Sequence, residues 1–461
     1  MSKMRLTQSK ATTSRVTAIS SKSYVHRLII AASLYGSGTC IITNIMSADM
    51  EATVRAVKAL GADIEVVSSC DDGYEIRIVR PLGSKVTTPC VVDCGESGST
   101  ARFILPLATY FADEATVTGS GRLPERPMGP LCDALRSAGA SVSSDHLPIT
   151  VSGLPVAGDY EIAGNVSSQF ISGLLFLLPL LSGVSHLTIT GRFESAAYVD
   201  MTAEVLGKFG AGIKRVGNTF TIGESQPVQR EAAKDTFTDQ RRIVAEGDWS
   251  NAAYIMAIAS LGSGRAFDAL TIEGLNPDSI QGDRAVVDVM HDFGIRVSCE
   301  QLEDGTSAYT VKGYPQKGVD IDCSQIPDLV PALAVLAAYT DGDSVFRNVE
   351  RLRMKECDRI DAVSAMLSAV NVKVDITSDP DTHHETMTVH GKGNNAPVSE
   401  AICVDSFNDH RIAMAAAALA LSENVPVEIN DPMAVNKSYP GFYDVIRKLG
   451  VVSLKEIEHV V

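Results

Sequence analysis

At 461 residues, with 45% hydrophobic and 21% charged residues, the chain reads as a folded globular protein too long for one core, so two domains are expected. A formal charge of −16 at pH 7 argues against a nucleic-acid or anionic-membrane surface, yet leaves room for local cations facing small anionic substrates. Nine cysteines stand apart, without a CxxC pair or a Cys/His ligand spacing, so reduced thiols in a cytosolic protein are expected rather than a metal or redox site.

In chain order, the first ten residues, MSKMRLTQSK, lack the apolar core of a signal peptide. A polar, basic cluster, SKSYVHR, follows at residues 21–27. Then one unit recurs six times: a β-like segment, a polar loop, and an amphipathic helix stopped by Gly or Asn. Its strand segments end at Asn44, Gly119, Gly191, Gly274, Asn348 and Asp431, and its helices at Gly61, Gly139, Gly210, Gly294, Asn371 and Gly450. Each strand end precedes its helix end by 17 to 23 residues, and successive helix ends lie 71 to 84 residues apart. Strand segments such as HLTIT are β-branched, while helices such as YDVIRKLG repeat apolar residues at i, i+3 and i+4. The apolar stretch 170–184 is interrupted by Ser172, Gly173 and Pro179 and falls short of the roughly 18–20 residues of a membrane span, so a buried helix is expected. Three copies per domain are expected, with the polar stretch 224–242 between the domains and a second polar stretch, 377–400, as an exposed hairpin.

Loops that lead into helices are natural anion sites, because the first N–H groups of a helix lack internal partners. Here those loops carry Asp49, Arg126, Tyr198, Arg284, then Lys355, Glu356 and Arg359, and finally Lys437, with FNDHR at residues 407–411. A lone arginine at a helix start is ordinarily a solvated charge, and KECDR reads equally well as a salt-bridged helix start. Recurrence at equivalent positions of a repeat is what favours a site. In DCGESGSTARF, Gly95 and Gly98 allow close backbone approach, and Ser99 or Thr100 is expected to cap the next helix, which together make an anion nest. GNVSSQF offers Ser167, Ser168 and Gln169 ahead of the apolar helix.

Ten segments carry a resemblance: SKSYVHR, GESGSTARF, RLPERP, GNVSSQF, SAAYVDMT, EGDWSNAAY, IPDLVP, RMKECDR, NDHRIAM and NKSYPGFY. In this order, over nearly the whole chain, they resemble the 5-enolpyruvylshikimate-3-phosphate synthase family, the 3-phosphoshikimate 1-carboxyvinyltransferases. The resemblance implies transfer of the enolpyruvyl group of phosphoenolpyruvate to the 5-hydroxyl of shikimate 3-phosphate, with release of phosphate, by addition and elimination through a tetrahedral intermediate. It implies that Lys22, Arg126, Gln169, Arg359, Arg411 and Lys437, with the Gly98 backbone, surround phosphoenolpyruvate. Ser23, Arg27, Ser167, Ser168, Gln169, Tyr198, Asp328 and Lys355 would hold shikimate 3-phosphate. Asp328 would assist the 5-hydroxyl proton, Glu356 would serve the methylene carbon, and Lys22 would act at the bridging oxygen or leaving phosphate. A lysine amid arginines should have a lowered pKa, which would suit Lys22 to proton transfer.

The implied fold is α/β: two similar domains, each an inside-out α/β barrel of three βαβαββ repeats, joined by a two-crossing hinge and closing on substrate. Residues 21–242 would form the N-terminal domain, mainly on the shikimate 3-phosphate side, and residues 1–20 with 243–461 the C-terminal domain, completing the phosphoenolpyruvate site. Small-molecule partners, no cofactor, no metal, no nucleic acid or membrane, a monomeric state and a cytoplasmic location are expected. Glu96, Cys357, Ala196 and Ala197 depart from the commoner family pattern. Gly98 leaves room for glyphosate, a mimic of bound phosphoenolpyruvate, so inhibition is expected. Two alternatives remain: the sister transferase that uses UDP-N-acetylglucosamine, whose usual cysteine is replaced by Gly121, and a non-catalytic anion-binding scaffold.

Overall fold

The computed structural model describes residues 2–69, 73–223, 241–393, 398–423 and 425–456, so most of the polar stretch 224–242 lies outside the described residues. The chain divides into two compact units, Ser20–Ala245 and Met1–Ile19 with Glu246–Val461. The helices in chain order are α1 (Lys22–Tyr35), α2 (Ala48–Ala59), α3 (Gly98–Phe111), α4 (Gly129–Ser137), α5 (Ser168–Leu177) and α6 (Ala196–Lys208) in the first unit. The second unit carries α7 (Trp249–Gly262), α8 (Val286–Asp292), α9 (Val330–Ala337), α10 (Arg359–Ser368), α11 (His410–Leu419) and α12 (Phe442–Lys448).

Among the described residues, six four-stranded sheets accompany them, each with one strand pair parallel and two antiparallel. In one of them, Cys90–Asp93 runs parallel to Glu114–Thr118, which pairs antiparallel with Ile149–Ser152, and that strand pairs with Ser141–Val142. Helix α3 fills the first crossover and α4 the second connection, giving βαβαββ. The other five sheets repeat this order, so each unit holds three repeats, as the α/β expectation required. Some strands come from distant parts of the chain. Lys3–Gln8 completes the sheet of the last repeat, and Arg15–Thr17 runs parallel to Leu270–Leu275. Arg241–Val244 runs parallel to Thr39–Thr43, so the repeat built on α1 and α2 takes its first strand from the far end of its unit.

The two helices of a repeat differ in burial. Every residue of α7, α9 and α11 is buried, and so is all of α5 except Gln169. In α3 the exceptions are Ser99 and Tyr110, and in α1 they are Lys22, Ser23 and Tyr35. These central helices supply Trp249, Phe103, Phe170 and Phe176 to the cores, each worth roughly 1.5–3 kcal/mol of burial. The even-numbered helices bury one face only, α4 through Leu131, Cys132, Ala134 and Leu135. All six expected helix stops adopt positive φ, from 60° at Asn371 to 105° at Gly61. The apolar stretch 170–184 forms a buried helix that ends at Leu177 in a 3₁₀ turn containing Pro179. The segment 377–400 holds most of a hairpin, but its strands Val374–Ser378 and Glu385–Lys392 are the last two of a repeat and bury Met387 and Val389. Among the described residues, no helix is long and apolar enough to cross a membrane.

Candidate active site

In Ser20–Ala245 the candidate residues gather at helix starts. Lys22 and Ser23 open α1 behind the cap Ser21, and Arg27 lies one turn deeper. Gly98 opens α3, Arg126 follows a 3₁₀ turn ahead of α4, Ser167 caps α5 ahead of Ser168 and Gln169, and Tyr198 lies in the first turn of α6. Lys22 Nζ pairs with Asp49 at 2.8 Å, so a carboxylate from α2 faces this ammonium. Arg27, only 3% exposed, donates to Thr202 Oγ1 at 2.8 Å and to the carbonyls of Ser23 and Tyr198 at 2.7 and 2.9 Å. Its guanidinium lies 5.0 Å from the Phe103 ring centre and pairs with no carboxylate among the described residues. Burial pulls its pKa down to about 10. A buried cation with neutral partners keeps the capacity to receive an anion.

The nest around Gly98 is cationic. A methyl group there would lie 2.7 Å from Arg126 Nη1 and 3.1 Å from Arg102 Nη1, so two guanidinium groups press against the first residue of α3. Arg102 donates to Gln169 Oε1 at 2.6 Å, and Gln169 Nε2 donates to Ser99 Oγ at 2.8 Å. Arg102 was not singled out in the sequence, although it lies inside GESGSTAR. The expected cap is corrected: Ser97, not Ser99 or Thr100, accepts the Thr100 N–H, because the helix begins at Gly98 and the capping side chain precedes the first helical residue. Glu96 lies over Gly121, since a methyl at Gly121 would sit 2.6 Å from Glu96 Oε2. Ala196 and Ala197 open α6 behind Ser195, whose φ is 51°.

In the second unit Asp328, Lys355, Glu356, Arg359 and Arg411 form an ionic cluster. Asp328 lies in a 3₁₀ turn entering α9, Lys355 and Glu356 precede α10, Arg359 is its first residue, and Arg411 is in the first turn of α11. Asp328 Oδ1 accepts from Arg359 at 2.8 Å and Lys355 at 3.2 Å, and its Oδ2 lies 3.1 Å from Arg411. Arg359, 1% exposed, also pairs with Glu356 at 2.6 Å and Asp409 at 2.7 Å. Burial would raise the Asp328 pKa, yet Arg411, Lys355 and Arg359 hold it well below the usual carboxylate range. For Arg359, burial is overcome by Asp409, Glu356 and Asp328, which hold it protonated. Lys355 goes the other way: burial, aided by Arg359 and Arg351, lowers its pKa to about 8 against the pull of Asp328. Lys355 therefore holds its proton more loosely than an exposed lysine.

Asp409 was missed in sequence, although it stands within FNDHR. It caps α11 through the Arg411 N–H at 2.8 Å and grips Arg359, so one carboxylate serves both roles. Cys357 Sγ lies 3.6 Å from Asp409 Oδ2, and burial pushes its thiol pKa up. Lys437, ending a 3₁₀ turn before α12, donates to the Asn408 carbonyl at 2.6 Å. Arg284 is not drawn into this cluster and donates to the Pro277 carbonyl instead.

Comparison with known proteins gives the family. Residues 6–446 match the family model described as EPSP synthase (3-phosphoshikimate 1-carboxyvinyltransferase). The 3-phosphoshikimate 1-carboxyvinyltransferase of Clostridium kluyveri is 38% identical over 93% of this chain and 93% of its own length. That of Methanoculleus marisnigri is 34% identical over 97% of this chain and 100% of its own. In fold, the chain is similar to the EPSP synthase of Acinetobacter baumannii (TM-score 0.73, 22% identity, 98% of this chain and 100% of that one). It is also similar in fold to the enolpyruvyl transferase NikO of Streptomyces tendae (TM-score 0.71, 15% identity, 99% of each chain). Neither the family model nor these curated relatives point to the UDP-amino-sugar alternative. The chain belongs to the EPSP synthase family, and its reaction is the transfer of the enolpyruvyl group of phosphoenolpyruvate to shikimate 3-phosphate in the shikimate pathway to the aromatic amino acids.

Proposed function

We propose that the unit Ser20–Ala245 mainly holds shikimate 3-phosphate, while the unit containing Glu246–Val461 completes phosphoenolpyruvate binding and carries the proton-transfer groups. Ser23, Arg27, Ser167, Ser168, Gln169, Tyr198, Lys355 and Asp328 bind shikimate 3-phosphate. Lys22, Arg126, Gln169, Arg359, Arg411 and Lys437 bind phosphoenolpyruvate, its phosphate against the Gly98 N–H. The observation that carries the reading is the meeting of Asp328, Lys355, Glu356, Arg359 and Arg411 at the starts of α9, α10 and α11, acids and cations in one cluster.

The division of labour follows from chemistry. Asp328 takes the 5-hydroxyl proton as oxygen attacks the central carbon, and Glu356 protonates the methylene carbon, giving the tetrahedral intermediate. Elimination reverses the role of Glu356, and Lys22 assists the departing phosphate. Arginine at Lys22 would keep the charge without a proton to give near neutral pH, so an unimpaired Lys22→Arg enzyme would remove Lys22 from proton transfer. Its well-separated thiols, Cys40, Cys94, Cys132 and Cys323 among them, fit a reducing cytoplasm, and a monomer suffices for two small substrates. The test is phosphate release with both substrates and with each alone: release requiring both supports the reading, and binding without turnover by folded protein leaves an anion-binding scaffold.

A further inference from the structure

Four buried polar side chains that the proposed contacts do not use form one line of hydrogen bonds. His26 of α1, Thr53 of α2, Thr100 of α3 and its cap Ser97 are each at most 1% exposed. His26 Nδ1 lies 2.6 Å from Thr53 Oγ1, which lies 2.7 Å from Thr100 Oγ1, and the Thr100 hydroxyl donates to Ser97 Oγ at 2.8 Å. His26 follows Lys22 by one turn, and Thr53 follows Asp49 by one turn. The His26–Thr53 contact therefore repeats, one turn deeper, the Lys22–Asp49 tie between the same two helices.

Counting hydrogens gives this line a direction. A hydroxyl has one hydrogen, and that of Thr100 goes to Ser97. Thr53 must then donate to Thr100, its other acceptor, the Asp49 carbonyl, being farther at 3.4 Å. His26 consequently donates from Nδ1, which leaves Nε2 bare, and Nε2 has no partner among the described residues. Burial, with Lys22 and Arg27 nearby, holds the imidazole neutral by lowering its pKa well below the ordinary value. At the other end, Ser97 Oγ accepts both the N–H and the O–H of Thr100. Its own hydrogen is spent on none of the described residues, and it stands beside Gly98 at the start of α3.

We propose that His26 is a positioning residue: through Thr53 and Thr100 it keeps the Ser97 hydroxyl hydrogen directed out of the line, as an added donor to the substrate phosphate at Gly98. This rests on the reading of the first turn of α3 as the phosphoenolpyruvate phosphate site. The phosphate stays on the substrate through the addition step, so loss of the donor falls on KM and spares kcat.

The experiment begins with the wild type. Phosphate release from the substrate pair tests the reading of the site, and titration with inorganic phosphate gives affinity without turnover. In His26→Leu, which lets the line reverse toward the Asp49 carbonyl, KM for phosphoenolpyruvate and the dissociation constant for inorganic phosphate should rise about tenfold to a hundredfold, the effect of one hydrogen bond to a charged group, with kcat within about twofold. Thr100→Val leaves the Ser97 hydrogen no acceptor within the line and should keep KM and phosphate affinity near wild type. His26→Asn, whose amide can donate from near the Nδ1 position, should restore both. Thr109→Val removes a buried hydroxyl of the same helix, bonded to the Pro106 carbonyl, and should lower Tm without moving KM. Nitrogen NMR should find His26 neutral and protonated on Nδ1 from pH 5 to 8. Unchanged KM and phosphate affinity in His26→Leu, an equal change in Thr100→Val or Thr109→Val, or a proton on Nε2 would overturn the inference. With an active wild type, such a result leaves the reaction itself untouched.

Discussion

Replacing Gly98 by alanine probes the cationic nest directly. Gly98 has no need of positive φ, so the backbone accepts alanine, and the strain falls on the space its methyl would enter. That methyl would lie 2.7 Å from Arg126 Nη1 and 3.1 Å from both Arg126 Cζ and Arg102 Nη1. Ordinary contact needs about 3.5–4 Å, so Arg126 Nη1 must retreat by roughly 0.8–1.3 Å. It sits at the end of a flexible side chain, so the fold should lose less than about 1 kcal/mol. The proposed phosphate contact depends on guanidinium placement and should weaken by about 1–2 kcal/mol, which raises KM for phosphoenolpyruvate about 5- to 30-fold. Glyphosate, expected in the same place, should lose at least as much affinity. Steady-state KM, the glyphosate inhibition constant and Tm decide the matter together. Unchanged KM and inhibition in a folded Gly98→Ala enzyme would show that neither ligand touches the start of α3.

On the proposed reading, in which its ammonium holds shikimate 3-phosphate, Lys355 should set the alkaline limb of kcat/KM near pH 8, since burial lowers its pKa to about 8. Lys355→Arg should move that limb up by more than about one pH unit, and a limb that stays put would assign it elsewhere. Since Lys355 holds its proton less tightly folded than unfolded, its contribution to stability should increase as pH rises from about 8 toward the ordinary lysine value. His390 has the opposite sign: hydrogen bonds to Asp375 and Asp343 raise its pKa, so its stabilisation is present below its unfolded pKa and fades as pH climbs through the folded one. In His390→Gln, Tm measured from pH 5 to 9 should lose that part of its slope. Asp328→Asn should lower kcat by about 10²–10⁴, the range for a lost general base, and a smaller drop would reduce Asp328 to a binding role.

What the sequence shows of this fold is the half of each repeat that has a period. Helices such as α4 and α12 face solvent on one side, so their apolar residues recur every three or four positions and a left-handed glycine marks their ends. Helices such as α7 and α9 are covered all round, and an apolar run without contrast carries no period to read. The polar residues at the starts of α1, α3 and α5 are legible because Lys22, Ser23, Ser99 and Gln169 interrupt otherwise buried helices. Asp409 was hidden for another reason. Its position before α11 reads as a helix cap, while its grip on Arg359 spans 50 residues of chain, a distance at which local pattern is silent. The same holds for His26, whose partner Thr53 belongs to the next helix.

The ionic cluster also bears on how Asp328 can act as a base. At rest it is held by Arg359, Lys355 and Arg411, and a carboxylate so paired is ionised but has little affinity for a further proton. Anionic substrates give those cations other partners. Each cation drawn toward a substrate phosphate or carboxylate weakens its hold on Asp328, and every pKa unit regained is about 1.4 kcal/mol of proton affinity. Arg359 is the cation least able to leave, because Asp409 keeps its Nε fixed whichever way the other nitrogens turn. Arg411 and Lys355 are held through fewer carboxylates, so they are the ones whose redirection can wake the base. On the proposed reading, substrate binding would do more than place the 5-hydroxyl beside Asp328: it would supply the charge that lets the carboxylate accept the proton, and only when the anions are in place.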